Sequence, residues 1–292
     1  MAIRKKLWNL ITRTYMEINL ISNTIPFKDS YANMWWPDDN LKVVKNIQNY
    51  SGTTVFVDDC IPLVNRVTSK KKVAWLIEPP VIKSEGYELL KNPLVQNCFD
   101  LILTFDENLV KSNPEKIKLF PFGACWISEE NCKIHKKSKL ISIVASNKNY
   151  APGHRLRHSL ISSLGNHSVD LYGTGYNEFP HTNEGRLMPF KDYMFSIVIE
   201  NSRMDNYFTD KIVDCLSVGT VPLYWGAPNI DKYFDVGGIL NFDSIEDCLK
   251  LLNNCTQDYY NGFTEVISKN FNTYKNWASP DKNLRLILQE SL

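Results

Sequence analysis

The chain has 292 residues, with 33 Lys and Arg against 32 Asp and Glu and a formal net charge of +1. Hydrophobic residues make up 43% and charged residues 22%, which excludes a collagen-like, coiled-coil or disordered chain. The balanced charge argues against a nucleic-acid-binding protein, no apolar run reaches the ~18 residues of a membrane span, and the seven cysteines form no CxxC pair that would suggest zinc or a disulfide framework.

The chain begins with a basic stretch that puts Ile3, Leu7, Ile11 and Tyr15 on one helical face, with Arg4, Lys5, Lys6 and Arg13 around it. Such a stripe suits a helix packed on the body of the protein, or a weak peripheral membrane contact through residues 1–20. It lacks the apolar core of a signal peptide. Short apolar runs of strand type follow at 53–57, 73–77, 101–105 and 117–122. They are β-branched or aromatic without clean alternation, as strands buried on both faces are. Intervening segments such as 86–96 can hold helices, so this half reads as α/β with a parallel sheet. Residues 128–139 are polar, contain four lysines and read as a linker. That divides the chain into an N-terminal α/β domain, 1–135, and a C-terminal α/β domain, 136–292.

The second half repeats the pattern. Strands are expected at 140–145, 169–172, 195–199, 221–224 and 239–242, and helices at 154–164, 210–218, 244–254 and 260–277. Thr209 is an N-cap and Gly219 a stop for the second of these helices. Phe263, Ile267, Phe271, Tyr274 and Trp277 stripe the last one and read as core.

The stretch 195–226 is the most informative. Its strand ends in Glu200, Asn201 and Ser202, its loop carries Tyr207, and its helix opens at Thr209 with Lys211 in the first turn. Backbone N–H groups at a helix start, together with one lysine, suit a phosphate or diphosphate. A lysine there opposes the helix dipole, so its placement asks for a reason; the alternative is a surface lysine without a ligand. The acidic pairs Asp38-Asp39 and Asp58-Asp59 are weak candidates for metal ligands, since neither is a D-x-D. The histidines show no ligand spacing, and His154 reads as a solvated side chain.

The 195–226 stretch resembles the donor-binding signature of the α1,3/4-fucosyltransferases, glycosyltransferase family 10. Phe195, Glu200, Asn201, Ser202, Tyr207, Thr209, Lys211, Pro222 and Gly226 fall at that signature's spacing, and Tyr224-Trp225-Gly226 and Pro228 extend it. Asp210 stands where the family usually has Glu, a carboxylate one methylene longer. Upstream, Val144-Ala145-Ser146-Asn147 followed by Arg157 resembles the family's S-N…R segment, where an Arg reaches the donor diphosphate. Arg155 is the alternative to Arg157, and an arginine's planar fork suits two phosphate oxygens. Val169–Gly173 is similar to the family's next strand, and Asn33–Trp36 to an aromatic patch near its N-terminus. In the first half, Val73–Pro80 resembles the family's strand ending in E-S-P, with Pro79 in place of Ser. The family's Glu there is the proposed general base; the alternative for Glu78 is an ordinary turn residue.

The resemblance implies a GT-B type fold, two Rossmann-like domains facing a central cleft. It implies inverting transfer of L-fucose from GDP-β-L-fucose to a hydroxyl of a glycan acceptor. Glu78 would take the acceptor's proton. Arg157 or Arg155, Ser146, Asn147, Asn201, Ser202, Tyr207, Asp210 and Lys211 would bind the donor. No cofactor and no metal would be needed, because Arg157 and Lys211 neutralise the leaving diphosphate. A cytoplasmic enzyme of bacterial or viral type is expected. Two alternatives stay open: the same fold with another GDP-sugar or a UDP-sugar, and a non-catalytic module binding sugar nucleotides or glycans.

Overall fold

A computed structural model describes residues 15–23, 36, 38–180 and 182–292. The chain divides into two compact units, Met1–Pro121 with Ser279–Leu292, and Phe122–Ala278.

The first unit is built on one parallel sheet. Its strands are β1 Met16–Ile21, β2 Leu41–Lys45, β3 Thr53–Val57, β4 Lys71–Trp75, β5 Leu101–Thr104 and β6 Ile117–Leu119. Their order is β2-β1-β3-β4-β5-β6. Val55, Phe56, Val73, Ala74 and Ile102 are fully buried, as the unbroken apolar runs require. Three short helices, α1 Ser84–Leu90, α2 Pro93–Gln96 and α3 Glu107–Ser112, lie in the crossovers. Asp106 caps α3 by accepting from the Asn108 and Leu109 amides.

The helical expectation at the start of the chain falls mostly outside the described residues. Ile3, Leu7 and Ile11 lie outside the described residues, as do Asn33, Met34 and Trp35 of the aromatic patch. Residues 16–21 are the strand β1, not part of an amphipathic helix or a membrane-facing stripe. The physical reason lies in Asn19. Its buried amide donates to Ile47 O at 2.8 Å and to Thr54 Oγ1 at 3.1 Å, partners that only sheet pairing supplies.

The second unit holds β7 Lys139–Val144, β8 Asp170–Tyr172, β9 Tyr193–Ile199, β10 Val221–Trp225 and β11 Leu240–Asn241. All pair in parallel, in the order β11-β10-β9-β7-β8. Its helices are α4 Pro152–Ser163, α5 Asn183–Leu187, α6 Asp210–Ser217, α7 Ile245–Asn254, α8 Gln257–Asn261 and α9 Thr264–Thr273. This is a doubly wound Rossmann-like sheet whose order reverses between β7 and β9. Ligands of such sheets bind beyond the carboxyl ends of the strands at that reversal. The expected 260–277 helix is interrupted around Gly262 and ends in a tight turn over Tyr274–Asn276. Of its expected stripe, Ile267 and Tyr274 are buried, while Phe263, Phe271 and Trp277 are half-buried; Phe263 meets the Phe195 ring edge-on at 6.4 Å, as does Tyr260 at 5.8 Å.

The boundary between the units differs from the expected 135/136 division. The polar stretch 128–139 is fastened to the second unit. Lys137 Nζ donates to Phe190 O, Lys191 O, Val218 O and Thr220 Oγ1 at 2.8–3.3 Å, and burial pushes its pKa down to about 7. Just upstream, Trp126 N donates to Asp214 Oδ1 at 2.6 Å. At the other end the chain returns to the first unit as α10, Pro280–Ser291. Arg285 Nε meets Asp38 Oδ2 at 2.5 Å with both side chains buried, and Ser279 Oγ donates to Trp36 O at 2.9 Å. Composition misses both facts, because a lysine surrounded by carbonyls and one surrounded by water read alike. No helix among the described residues is long and apolar enough to cross a membrane.

Candidate functional site

The second unit gathers polar groups where β7 and β9 end. Glu200 follows β9, its N–H donating to Trp225 O at 2.9 Å, and its side chain is fully buried. Oε1 accepts from Thr209 N at 2.9 Å. Oε2 accepts from Thr209 Oγ1 at 2.8 Å and from Lys211 Nζ at 3.3 Å, and that ammonium also donates to Thr209 Oγ1 at 3.0 Å. This explains a lysine at the wrong end of the dipole of α6: a buried carboxylate beneath it supplies the compensating charge. Lys211 stays half-buried and Asp210 stands beside it.

The start of α4 closes on the same strand end. Gly153 N donates to Asn201 O at 3.0 Å, and a Cβ on Gly153 would lie 1.7 Å from Glu200 O, so only glycine fits. One turn on, Arg157 is 5% exposed. Its Nε and Nη2 donate to Ile199 O at 3.1 and 2.5 Å, and Nη2 also donates to Asn201 Oδ1 at 3.1 Å. Burial lowers its pKa, with Glu200 pulling the other way. Arg155 is roughly 200° around the helix. It is exposed and donates to Tyr150 O at 3.0 Å. Arg157, not Arg155, therefore belongs to the cluster. His154 is buried rather than solvated: Nδ1 accepts from Ala151 N at 3.2 Å, and burial pulls its pKa down to about 4.

The remaining expected donor residues are spread around this cluster. Ser146, half-buried, and Asn147, exposed, lie in the loop after β7. Ser202 is buried, and Tyr207 is 2% exposed, an interior side chain of the loop. That loop is pinned at Asn206, whose φ is +62°. Its N–H donates to Asn229 Oδ1 at 2.8 Å, and its Oδ1 accepts from Asn229 Nδ2 at 2.9 Å and from Tyr233 OH at 2.5 Å.

Sequence reasoning missed a pocket beside Lys211, lined by Val144, Phe179, Arg186, Asp210, Lys211 and Asp214 among others. Its empty space, counted to the open mouth, is about 450 Å³. The Arg186 guanidinium sits 3.8 Å above the Trp126 ring and 5.9 Å from that of Phe179, a cation–π stack. Burial lowers its pKa, against the pull of Asp210 and Asp214. Burial, with Asp210 adding to it, holds the Asp214 carboxyl well above the usual range. Arg186 sits in the five-residue helix α5, too short to carry a periodic signal.

In the first unit the sheet order reverses between β1 and β3. Glu78 follows β4, which neighbours β3, and is half-buried. Its N–H donates to Asp58 Oδ1 at 3.3 Å and its carbonyl accepts from Tyr87 OH at 3.0 Å. The turn that carries Glu78 is thus tied from two sides. Three acids of the two pairs are engaged: Asp59 Oδ2 meets Lys83 Nζ at 2.6 Å, Asp38 pairs with Arg285, and Asp58 accepts from backbone amides. Among the described residues, no three His, Cys, Asp or Glu side chains come together in a way that could hold a metal ion.

Two units, each on an all-parallel doubly wound sheet, define the GT-B type of fold. A solved α1,3-fucosyltransferase with GDP aligns over 94% of this chain and 90% of its own, with a TM-score of 0.56 and 16% identity. The Anabaena HepE protein, solved with UDP-glucose, aligns over 95% and 100%, with a TM-score of 0.59 and 10% identity. The model of glycosyltransferase family 10 (fucosyltransferase), C-terminal part, matches residues 134–279, half of the chain, and the chain belongs to that family. The α-(1,3)-fucosyltransferase FucT of Helicobacter pylori is 28% identical over 140 residues, 46% of this chain and 28% of the relative. The GDP-fucose protein O-fucosyltransferase 3 of Danio rerio is 32% identical over 178 residues, 56% of this chain and 38% of the relative. The chain thus spans less than two-fifths of the length of these curated relatives.

Proposed function

We propose that the protein is an inverting fucosyltransferase that moves L-fucose from GDP-β-L-fucose to a hydroxyl of a glycan acceptor. The observation that carries this reading is the Glu200–Thr209–Lys211 cluster at the β7/β9 reversal, in a chain of family 10. As the bond between the anomeric carbon and the diphosphate breaks, negative charge grows on the phosphate oxygens. Lys211 meets that charge directly, Arg157 adds a buried positive field and holds Asn201, and the first turn of α6 adds its N–H groups. Charge neutralisation by these groups calls for no metal. Asp210 accepts from a hydroxyl of the donor, and the pocket beside it takes part of the sugar nucleotide. Glu78 receives the acceptor hydroxyl's proton while that oxygen attacks the anomeric carbon opposite the diphosphate, which inverts the configuration.

A second reading keeps the fold and changes the donor. It is favoured by Asp210, a carboxylate one methylene shorter than the family's usual residue. A thermal-shift panel of GDP, GDP-fucose, GDP-mannose and UDP-sugars decides between them. A ligand at 100 times its dissociation constant adds about 2.7 kcal/mol of stability. GDP and GDP-fucose are expected to raise the melting temperature, and Lys211→Ala to abolish the shift. A UDP-sugar acting alone overturns the fucose assignment; no shift with any nucleotide favours the glycan-binding module.

A further inference from the structure

Asp58 has no part in the reaction above, yet it is unlike a surface acid. It follows β3 with a φ of +47°, left-handed backbone that a non-glycine residue adopts at a cost. Its side chain is fully buried. Oδ1 accepts from Ile77 N at 2.8 Å and Glu78 N at 3.3 Å, while Oδ2 is buried without a hydrogen-bond partner. Gly86 of α1 closes over it, with room for a Cβ only 3.1 Å from Asp58 O. This one carboxyl thus holds two successive amides of the segment after β4, and the position of Glu78 depends on it.

We infer that Asp58 is a positioning residue for Glu78: its buried carboxyl clamps the two amides that lead into Glu78 and so fixes the backbone from which that side chain is presented. The inference rests on Glu78 being the base. The groups that face Asp58 are Asp59 and Cys60 from its own turn, Glu78 from the segment after β4, Lys83 from the segment before α1, and Tyr87 from α1. Asp59 is neutralised by Lys83 at 2.6 Å, which makes Glu78 the negative neighbour that matters. Burial pushes the Asp58 carboxyl up to about 7, its two amide donors pull it down, and Glu78 raises it further. Held neutral below that value, Asp58 keeps Oδ1 as the acceptor for both amides without placing a second negative charge beside Glu78.

Carboxyl-carbon NMR of the full chain, labelled at Asp and Glu and titrated from acid to neutral pH, reads this coupling without an acceptor. In Glu78→Gln, which removes the facing charge, the Asp58 midpoint falls by about half a pH unit, while Asp58→Asn keeps the amide acceptor and leaves the turn intact. The Ile77 and Glu78 amides stay protected from exchange in that variant, and exchange on the order of tenfold faster in Asp58→Ala. An unchanged Asp58 midpoint in Glu78→Gln, or unchanged amide protection in Asp58→Ala, overturns the inference. Turnover of Glu78→Gln, measured alongside, separates the two claims. A fully active Glu78→Gln removes the base whatever the titration shows, while an inactive one with an unshifted midpoint removes only the role of Asp58.

Discussion

Replacing Gly153 by alanine tests how tightly the candidate donor site is framed. The new Cβ would stand 1.7 Å from Glu200 O, 2.8 Å from Glu200 C and 3.1 Å from Asn201 C, all backbone atoms. Non-bonded heavy atoms settle near 3.5 Å, so the start of α4 must retreat by roughly 1.5 Å or more. Glu200 cannot yield instead, because its N–H is held by Trp225 O and its carboxylate by Thr209. Retreat breaks the Gly153–Asn201 bond, about 1 kcal/mol, and loosens the grip of Arg157 on Ile199 and Asn201, about 2 kcal/mol. Residual overpacking adds about 2 kcal/mol, and the better helix propensity of alanine offsets about 1 kcal/mol. The expected loss is about 4 kcal/mol, read as the shift of the urea midpoint, with GDP affinity falling at least ~10-fold by calorimetry as Asn201 moves. A variant within about 0.5 kcal/mol of the parent that binds GDP equally well would refute the close contact and the framing role drawn from it.

Other expectations concern charge. Lys211→Ala is expected to lower turnover with GDP-fucose by ~100-fold or more, while Arg155→Ala, on the exposed side of α4, stays within about twofold; equal losses in a kinetic assay would reject the placement of the diphosphate. Asp38→Ala strands Arg285 in the interior and is expected to cost about 3–5 kcal/mol in urea unfolding. Asp58 and Asp281 both have carboxyls raised to about 7 by burial. A raised carboxyl favours the folded state fully below its unfolded value near 4, and that contribution is lost as pH rises through 7. Stability of the first unit therefore falls between pH ~4 and ~7, and Asp58→Asn raises the urea midpoint at pH 8 while leaving it nearly unchanged near pH 4; a flat profile in the parent protein contradicts both shifts.

The sequence made the second unit legible because its chemistry is local. Strand end, cap and lysine lie within a dozen residues, so spacing alone points to a cluster of Thr209 and Lys211 at the strand end. Glu200 was read as part of the pattern but not as its anchor, since burial is a property of the folded sheet. Gly153 and Arg186 were missed for the same reason: one matters through a backbone 47 residues away, the other through Trp126 on a different segment. In the first unit β1 is masked by a helical stripe of apolar residues ahead of it, and β2, the five residues Leu41–Lys45, leaves too short a signal. The path of the chain between units was hidden because it depends on Lys137 and Arg285, charged residues whose partners are distant in sequence.

The return of α10 to the first sheet has a consequence for biosynthesis. Residues 122–278 form one continuous stretch, so that unit can fold as soon as it leaves the ribosome. The first unit, though begun earlier, lacks the partner of Asp38 until residue 285 has been made. Order of synthesis and order of completion are thus reversed: the half translated first is finished last. During that interval the six strands of the first sheet are already made, but Asp38 waits without its arginine.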